Sequence, residues 1–174
     1  NECVTYSFID EASARLFGSG SDAVRLENPI SAEMSHLRPD LLPGLLRAAA
    51  RNQARGFADV ALFEVGPVFS GGEPGDQAMQ ATALLVGAVA PRDPWGSRRM
   101  ADVMDARADL EAVLAALGAP PRVQTTRQVP GWWHPGRSGT IALGPAALAT
   151  FGEVHPRVLA PLGVKGPAVA LTVD

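Results

Sequence analysis

Asp59-Val-Ala-Leu-Phe-Glu-Val-Gly-Pro-Val-Phe69, followed after a turn at Gly71–Gly75 by the run Ala81-Thr-Ala-Leu-Leu-Val-Gly-Ala-Val-Ala90, decides the fold. Both runs are rich in β-formers, and a turn this short joins antiparallel neighbours, because a parallel pair needs a crossover of roughly a dozen residues or more. The first run is predicted as a long strand interrupted at Gly66-Pro67 by a bulge or lying at a sheet edge, since proline cannot donate to a ladder. The second reads as a continuous buried strand.

Downstream, Asp102–Leu117 places Val103, Ala106, Leu110, Val113, Leu114 and Leu117 on one helical face, and Gly118 with Pro120-Pro121 ends it. Burying the large side chains of that face at ~1.5–3 kcal/mol each contributes on the order of 10 kcal/mol before chain entropy is subtracted. Strands are predicted at Arg122–Arg127, Gly139–Leu143, Ala147–Val154 and Ala168–Val173, with a loop at 132–139 and one helical turn at Pro156–Leu162. Residues 91–99, with their prolines, arginines and Trp95, form a loop.

Upstream, Cys3–Ile9 alternates with Val4, Tyr6 and Phe8 on one face, which predicts a half-buried strand. Asp10 can cap a short helix through Leu16 and Phe17 that Gly18 ends; a Gly18–Ser21 loop and a short strand Val24–Glu27 precede the break at Asn28-Pro29. A helix starting near Asp40 or Pro43 runs to Arg55, with Gly56 as its stop. Its apolar face carries Leu42, Leu45, Leu46 and Ala49; Arg47, Arg51 and Arg55 lie opposite and read as a solvated face rather than an anion grip. The sum is one α+β domain over residues 1–174, a mostly antiparallel sheet of about six strands flanked by helices.

Composition limits function. Hydrophobic residues make up 47% and charged residues 19%, enough for a core and too apolar for disorder. No apolar run approaches the roughly 20 residues that span a bilayer, so no membrane partner is expected. The start at Asn1-Glu2-Cys3 carries no signal stretch and reads as a fragment of a longer chain. A single cysteine, Cys3, rules out an internal disulfide and fits a reducing, cytoplasmic compartment. A net charge of -3 argues against bulk electrostatic attraction to nucleic acid.

Candidate chemistry is sparse. Gly136-Arg-Ser-Gly139 lacks the residue between Ser and the second Gly of a nucleophile elbow, so a hydrolase using the 132–139 loop is a minor alternative. His36, His134 and His155 lie far apart in sequence, and no Cys pair or His-x3-His offers metal-ligand spacing. Glu153 and His155 could supply two ligands from one strand end; a capping or turn role for His155 before Pro156 is the simpler reading. No phosphate-cradling glycine motif occurs. Trp132, Trp133, His134 and Arg137 crowd around Pro135-Gly136, which suits either a plug on the sheet or a binding loop.

Six segments occur in a specific order: Val4-Thr-Tyr-Ser-Phe8, Asn28-Pro-Ile-Ser31, Leu37-Arg-Pro-Asp-Leu-Leu-Pro-Gly-Leu-Leu46, Leu62-Phe-Glu-Val-Gly66 with Val68-Phe69, His134-Pro-Gly-Arg-Ser138 and Gly152-Glu-Val-His-Pro156. Together, across the whole chain, they resemble the core domain of the β chain of bacterial phenylalanyl-tRNA synthetase. One departure is the Asp102-Val-Met-Asp105 start of the long helix, where relatives carry aromatic residues between two aspartates.

The resemblance implies a class II aminoacyl-tRNA synthetase-like fold, an antiparallel sheet flanked by helices, in a subunit without the catalytic role. The family's α chain carries the phenylalanine and ATP chemistry in an (αβ)2 assembly acting on tRNA(Phe). ATP and Mg belong to the whole enzyme, and no cofactor is expected in this domain. Class II activation uses an Arg just after the second motif's strand and another in a Gly-rich third motif. Here Ser70 follows Val68-Phe69, no arginine lies in 70–80, and Gly163-Val-Lys-Gly-Pro167 leads into a strand. The resemblance also implies pairing with the α chain through the first motif, making Arg38, Leu41, Leu42, Leu45 and Leu46 interface candidates, with part of 29–50 apolar yet exposed. The alternative functions are the hydrolase above and a free-standing small-molecule-binding paralogue.

Overall fold

A computed structural model describes residues 1–18, 22–90, 93–96 and 98–174. The predicted loops at 18–21 and 91–99 fall partly outside the described residues. Six strands form one sheet: β3 (Val60–Phe69), β4 (Gln77–Val86), β5 (Gln124–Thr126), β6 (Trp133–Leu143), β7 (Ala146–Val154) and β8 (Ala168–Val173), in spatial order β3-β4-β8-β7-β6-β5. Every pairing in it is antiparallel. Two short strands, β1 (Phe8–Ile9) and β2 (His36–Leu37), pair separately. The helices are α1 (Glu11–Leu16), α2 (Leu42–Ala54), α3 (Val103–Ala116) and α4 (Pro156–Leu159).

The sheet carries a core on each face. On one, α2 lays Leu42, Leu45, Leu46 and Ala49 against Val60, Leu62, Leu84, Val86, Ala168 and Ala170, with Trp133 and Val158 closing the end. On the other, α3 lays Ala106, Leu110 and Leu114 against Ile141, Ala149, Phe151, Val169, Leu171 and Val173. Central β8 is therefore buried along its whole length, small residues Ala168 and Ala170 facing α2 and larger Val169 and Leu171 facing α3. Asp102 caps α3 in a capping box with Asp105, so the departure at 102–105 leaves the helix start intact and Met104 in solvent.

Several local expectations change. β3 pairs without interruption through Gly66 and Pro67; the edge position, not a bulge, accommodates the missing proline donor. Val24–Glu27 forms no strand, only a 3-10 turn at Asp22–Val24 and one bridge from Arg25 to His36. The 132–139 segment is not a free loop: most of it is the irregular first half of β6. Of Cys3–Ile9 only Phe8–Ile9 is strand, and the segment's alternation runs the other way round. Cys3 packs towards the α2 core and Thr5 bonds to Glu64, while Val4, Tyr6 and Phe8 face outward.

Candidate functional site

The 132–139 segment and the Glu153–His155 end of β7 converge. Trp133 pairs in register with Val154, and His155 N–H donates to the Trp132 carbonyl at 2.8 Å. Between Trp133 and Ser138 the register slips, and the extra length bulges outward as Pro135-Gly136. Gly152 makes the close approach workable: at φ 145° a Cβ there would lie 2.4 Å from Ser138 Cα. Arg137 clasps Glu153 with Nε and Nη2 at 2.5 and 2.8 Å, and this pair holds the guanidinium above its ordinary pKa. Glu153 is thereby committed to an ion pair and His155 to capping α4, so neither stands free as a ligand.

The two tryptophans settle the choice between plug and binding loop in part. Trp133 is 1% exposed within the α2-side core, and Trp132 packs on Phe17 with ring centroids 5.6 Å apart. Both indole N–H groups are buried without a partner among the described residues. These rings plug the sheet, while Arg137 lies at the surface and His134 half-buried. The Ser138 hydroxyl donates to the His134 carbonyl at 2.5 Å and the His134 ring accepts from Gly136 N–H, so Ser138 is not hydrogen-bonded to the His134 ring.

The Arg38–Leu46 candidates do not form a surface. Leu41, Leu42, Leu45 and Leu46 are fully buried within this chain, as the helical period of their own segment demands once the sheet lies beneath it. This corrects their reading as interface side chains. Arg38 is likewise buried, a clasp rather than a contact. Its Nη1 meets Glu64 Oε1 at 2.7 Å and Thr5 Oγ1 at 2.9 Å, and its Nε donates to the Pro67 carbonyl at 2.9 Å. Glu64 in turn accepts Thr5 N–H and hydroxyl, so the ion pair is fully hydrogen-bonded and fixes the N-terminal segment beside β3. Gly44 lets that segment pass over α2; a Cβ there would lie 2.3 Å from Thr5 Oγ1. In 29–50 the exposed large apolar side chain is Ile30, flanked by the exposed Pro29 and Ala32. The arginine stripe is partly engaged, Arg47 pairing with Asp10 and donating to Ser13 Oγ to tie α2 to α1.

A different apolar surface emerges, built partly from the Val4 and Tyr6 face expected to be half-buried. Glu2 bridges Phe63 in parallel, which puts Val4 and Tyr6 on the same side as Phe63 and Val65 of β3; Pro67 in turn faces Met79 of β4. Their exposures are 92% for Val4, 75% for Tyr6, 43% for Phe63, 58% for Val65 and 59% for Met79. This is the α3 side of the sheet, but α3 sits over β7 and β8, its core reaches only Ala81, Ala83 and Leu85 of β4, and Phe63 and Val65 of β3 and Met79 at the end of β4 stay exposed. Trp95, on the 93–96 bend, is also almost wholly exposed.

The turn after β3 carries Ser70, Glu73 and Asp76 and is closed by its own hydrogen bonds: Glu73 N–H donates to the Asp76 carboxylate, and Ser70 N–H to the Asp76 carbonyl. A surface depression of about 850 Å³ between β3, β4 and α3 includes Arg98 and Arg99, yet Arg98 pairs with Asp59 and Arg99 with Asp105. Among the described residues no cluster of three or more His, Cys, Asp or Glu could hold a metal, and no helix is long and apolar enough to cross a membrane.

Residues 1–174 match the family described as the phenylalanyl tRNA synthetase beta chain CLM domain. Similar curated proteins include the phenylalanine–tRNA ligase beta subunits of Cereibacter sphaeroides, 76% identical over 99% of this chain, and of Ruegeria pomeroyi, 67% identical over 99%. That of Rhodospirillum rubrum is 51% identical over 99%. The chain spans 22% of the length of each of these relatives. In fold it is similar to a pyrrolysyl-tRNA synthetase of Desulfitobacterium hafniense, with a TM-score of 0.65 at 16% identity, covering 99% of this chain and 59% of that one. The sheet, its two flanking helices and the ordered motifs along it therefore place this chain in the family of the phenylalanyl-tRNA synthetase β chain CLM domain.

Proposed function

We propose that the chain is a catalytically silent scaffold and docking module of a phenylalanine–tRNA ligase, supporting an active site carried by the α chain. The observation that carries this reading is the pairing of a filled sheet face with a bare one. On the α2 side, Leu42, Leu45, Leu46 and Trp133 occupy the surface where a substrate would need space. On the α3 side, Tyr6, Phe63, Val65 and Met79 form an uncovered apolar surface of the kind buried in permanent assemblies. The acidic 70–76 turn supports a reading in which ATP and Mg are handled by the other subunit. The assembly is (αβ)2, it meets tRNA(Phe) through the whole enzyme, and it works in the cytoplasm.

The test is phenylalanine-dependent ATP–pyrophosphate exchange by the full-length β chain alone and with the α chain. Exchange only in the presence of the α chain is expected. Exchange by the β chain alone, lost on Lys165→Ala, would overturn the reading, because Lys165 is the cation nearest the third-motif position.

A further inference from the structure

We infer that the stacked His134–His155 pair is a pH-sensitive latch holding the 134–138 turn against the start of α4. The rings lie with centroids 6.1 Å apart and planes inclined by 25°. Each already uses Nδ1 as an acceptor: Gly136 N–H donates to His134 Nδ1 at 3.1 Å and Arg157 N–H to His155 Nδ1 at 3.2 Å. An acceptor at Nδ1 fixes each neutral ring as the Nε2–H tautomer. Protonation turns Nδ1 into a donor facing another donor, so charging either ring breaks its own turn bond. The same geometry argues against a metal bridging the two Nε2 atoms, because a ring ligated there carries its proton on Nδ1 and would lose the same bonds.

The surroundings reinforce the neutral state. Partial burial first, and then the charge of Arg157 on α4 and the neighbouring His134 on β6, hold His155 below the ordinary histidine range. Arg137 of β6 and Glu153 of β7 also flank the pair, but they neutralise each other. A histidine with a lowered folded pKa contributes stability that is present above the unfolded value, about 6.5, and lost as pH falls through the folded value. What lets go is local: the Gly136 turn, the α4 cap and the His155–Trp132 backbone bond between them.

The experiment is hydrogen–deuterium exchange on the full-length subunit bound to its α chain, corrected for intrinsic rates, at steps from about pH 7.5 to about pH 5. Peptides covering 132–139 and 155–160 should lose protection by about tenfold across that range, the 155–160 response with a midpoint below the ordinary histidine value, while β8 stays unchanged. His155→Asn keeps a capping acceptor that does not titrate and should make the 155–160 response independent of pH. Unchanged protection in the parent, or the same loss persisting in a His134→Asn/His155→Asn protein, overturns the latch. The parent titration decides the matter even where a variant folds poorly, because β8 reports global unfolding separately.

Discussion

Asp40 stands at the head of α2, almost fully buried, with Oδ1 accepting Leu42 N–H at 2.8 Å. Burial first, and then the neighbouring Asp174 carboxylate, pushes its pKa up to about 7 against the helping backbone bonds. Arg38, two residues earlier, is as buried and finds a carboxylate, a hydroxyl and two carbonyls. The linkage has a definite sign. The unfolded carboxylate ionises near 3.9, so between about pH 4 and about pH 7 the folded state keeps a proton that the unfolded chain releases, and stability falls as pH rises through that window. Asp40→Asn retains an acceptor for Leu42 N–H and cannot ionise. It should flatten the pH dependence of urea unfolding from about pH 4.5 to about pH 7.5 and raise stability at the upper end by at least about 1 kcal/mol. An unaltered slope would mean that the titrating group lies elsewhere.

At the scale of elements, α3 rests on three side chains rather than on its whole predicted face. Ala106, Leu110 and Leu114 are buried, Val103 and Val113 only partly, and Leu117 is mostly in solvent. Leu110→Ala should cost about 2–5 kcal/mol in urea unfolding, since it leaves a cavity against Val169 and Leu171, whereas Met104→Ala on the outer face should fall within about 0.5 kcal/mol of the parent. Equal costs would mean that α3 does not hold the sheet as described. Elements with both a period and a stop were legible in the sequence: α2 ends at Gly56 with φ 92°, and β8 runs over the predicted residues. The site was legible in its residue types but not in its contacts. Arg137 and Glu153 are sixteen residues apart, and only the β6–β7 register, relaxed by Gly152, brings them together. The inverted face of Cys3–Ile9 had the right period and the wrong polarity. Alternation says which residues share a side; the Thr5–Glu64–Arg38 clasp decides which side is inside, and all three partners come from different segments.

Taken as a molecule, the chain has two kinds of apolar residue in its first eighty positions, and they should fail differently. Leu42 lies at the centre of the α2 core, so Leu42→Asp buries an unpaired carboxylate and should give protein that does not fold. Tyr6 already faces solvent on the N-terminal segment and Val65 on β3 beside it, so a carboxylate there costs the isolated fold little. What it should disturb is a partner's approach, because an aromatic and aliphatic cluster is what protein interfaces draw on, and a further desolvated carboxylate opposes docking. The expected result for Tyr6→Asp and Val65→Asp is a thermal melt like the parent's together with at least a tenfold weaker association with the α chain, measured by titration of the purified subunits. Full-strength association by the Tyr6→Asp/Val65→Asp double variant would move the α-chain contact off the β3–β4 face. Unfolding by either single change would mean that the exposed strip supports this domain itself.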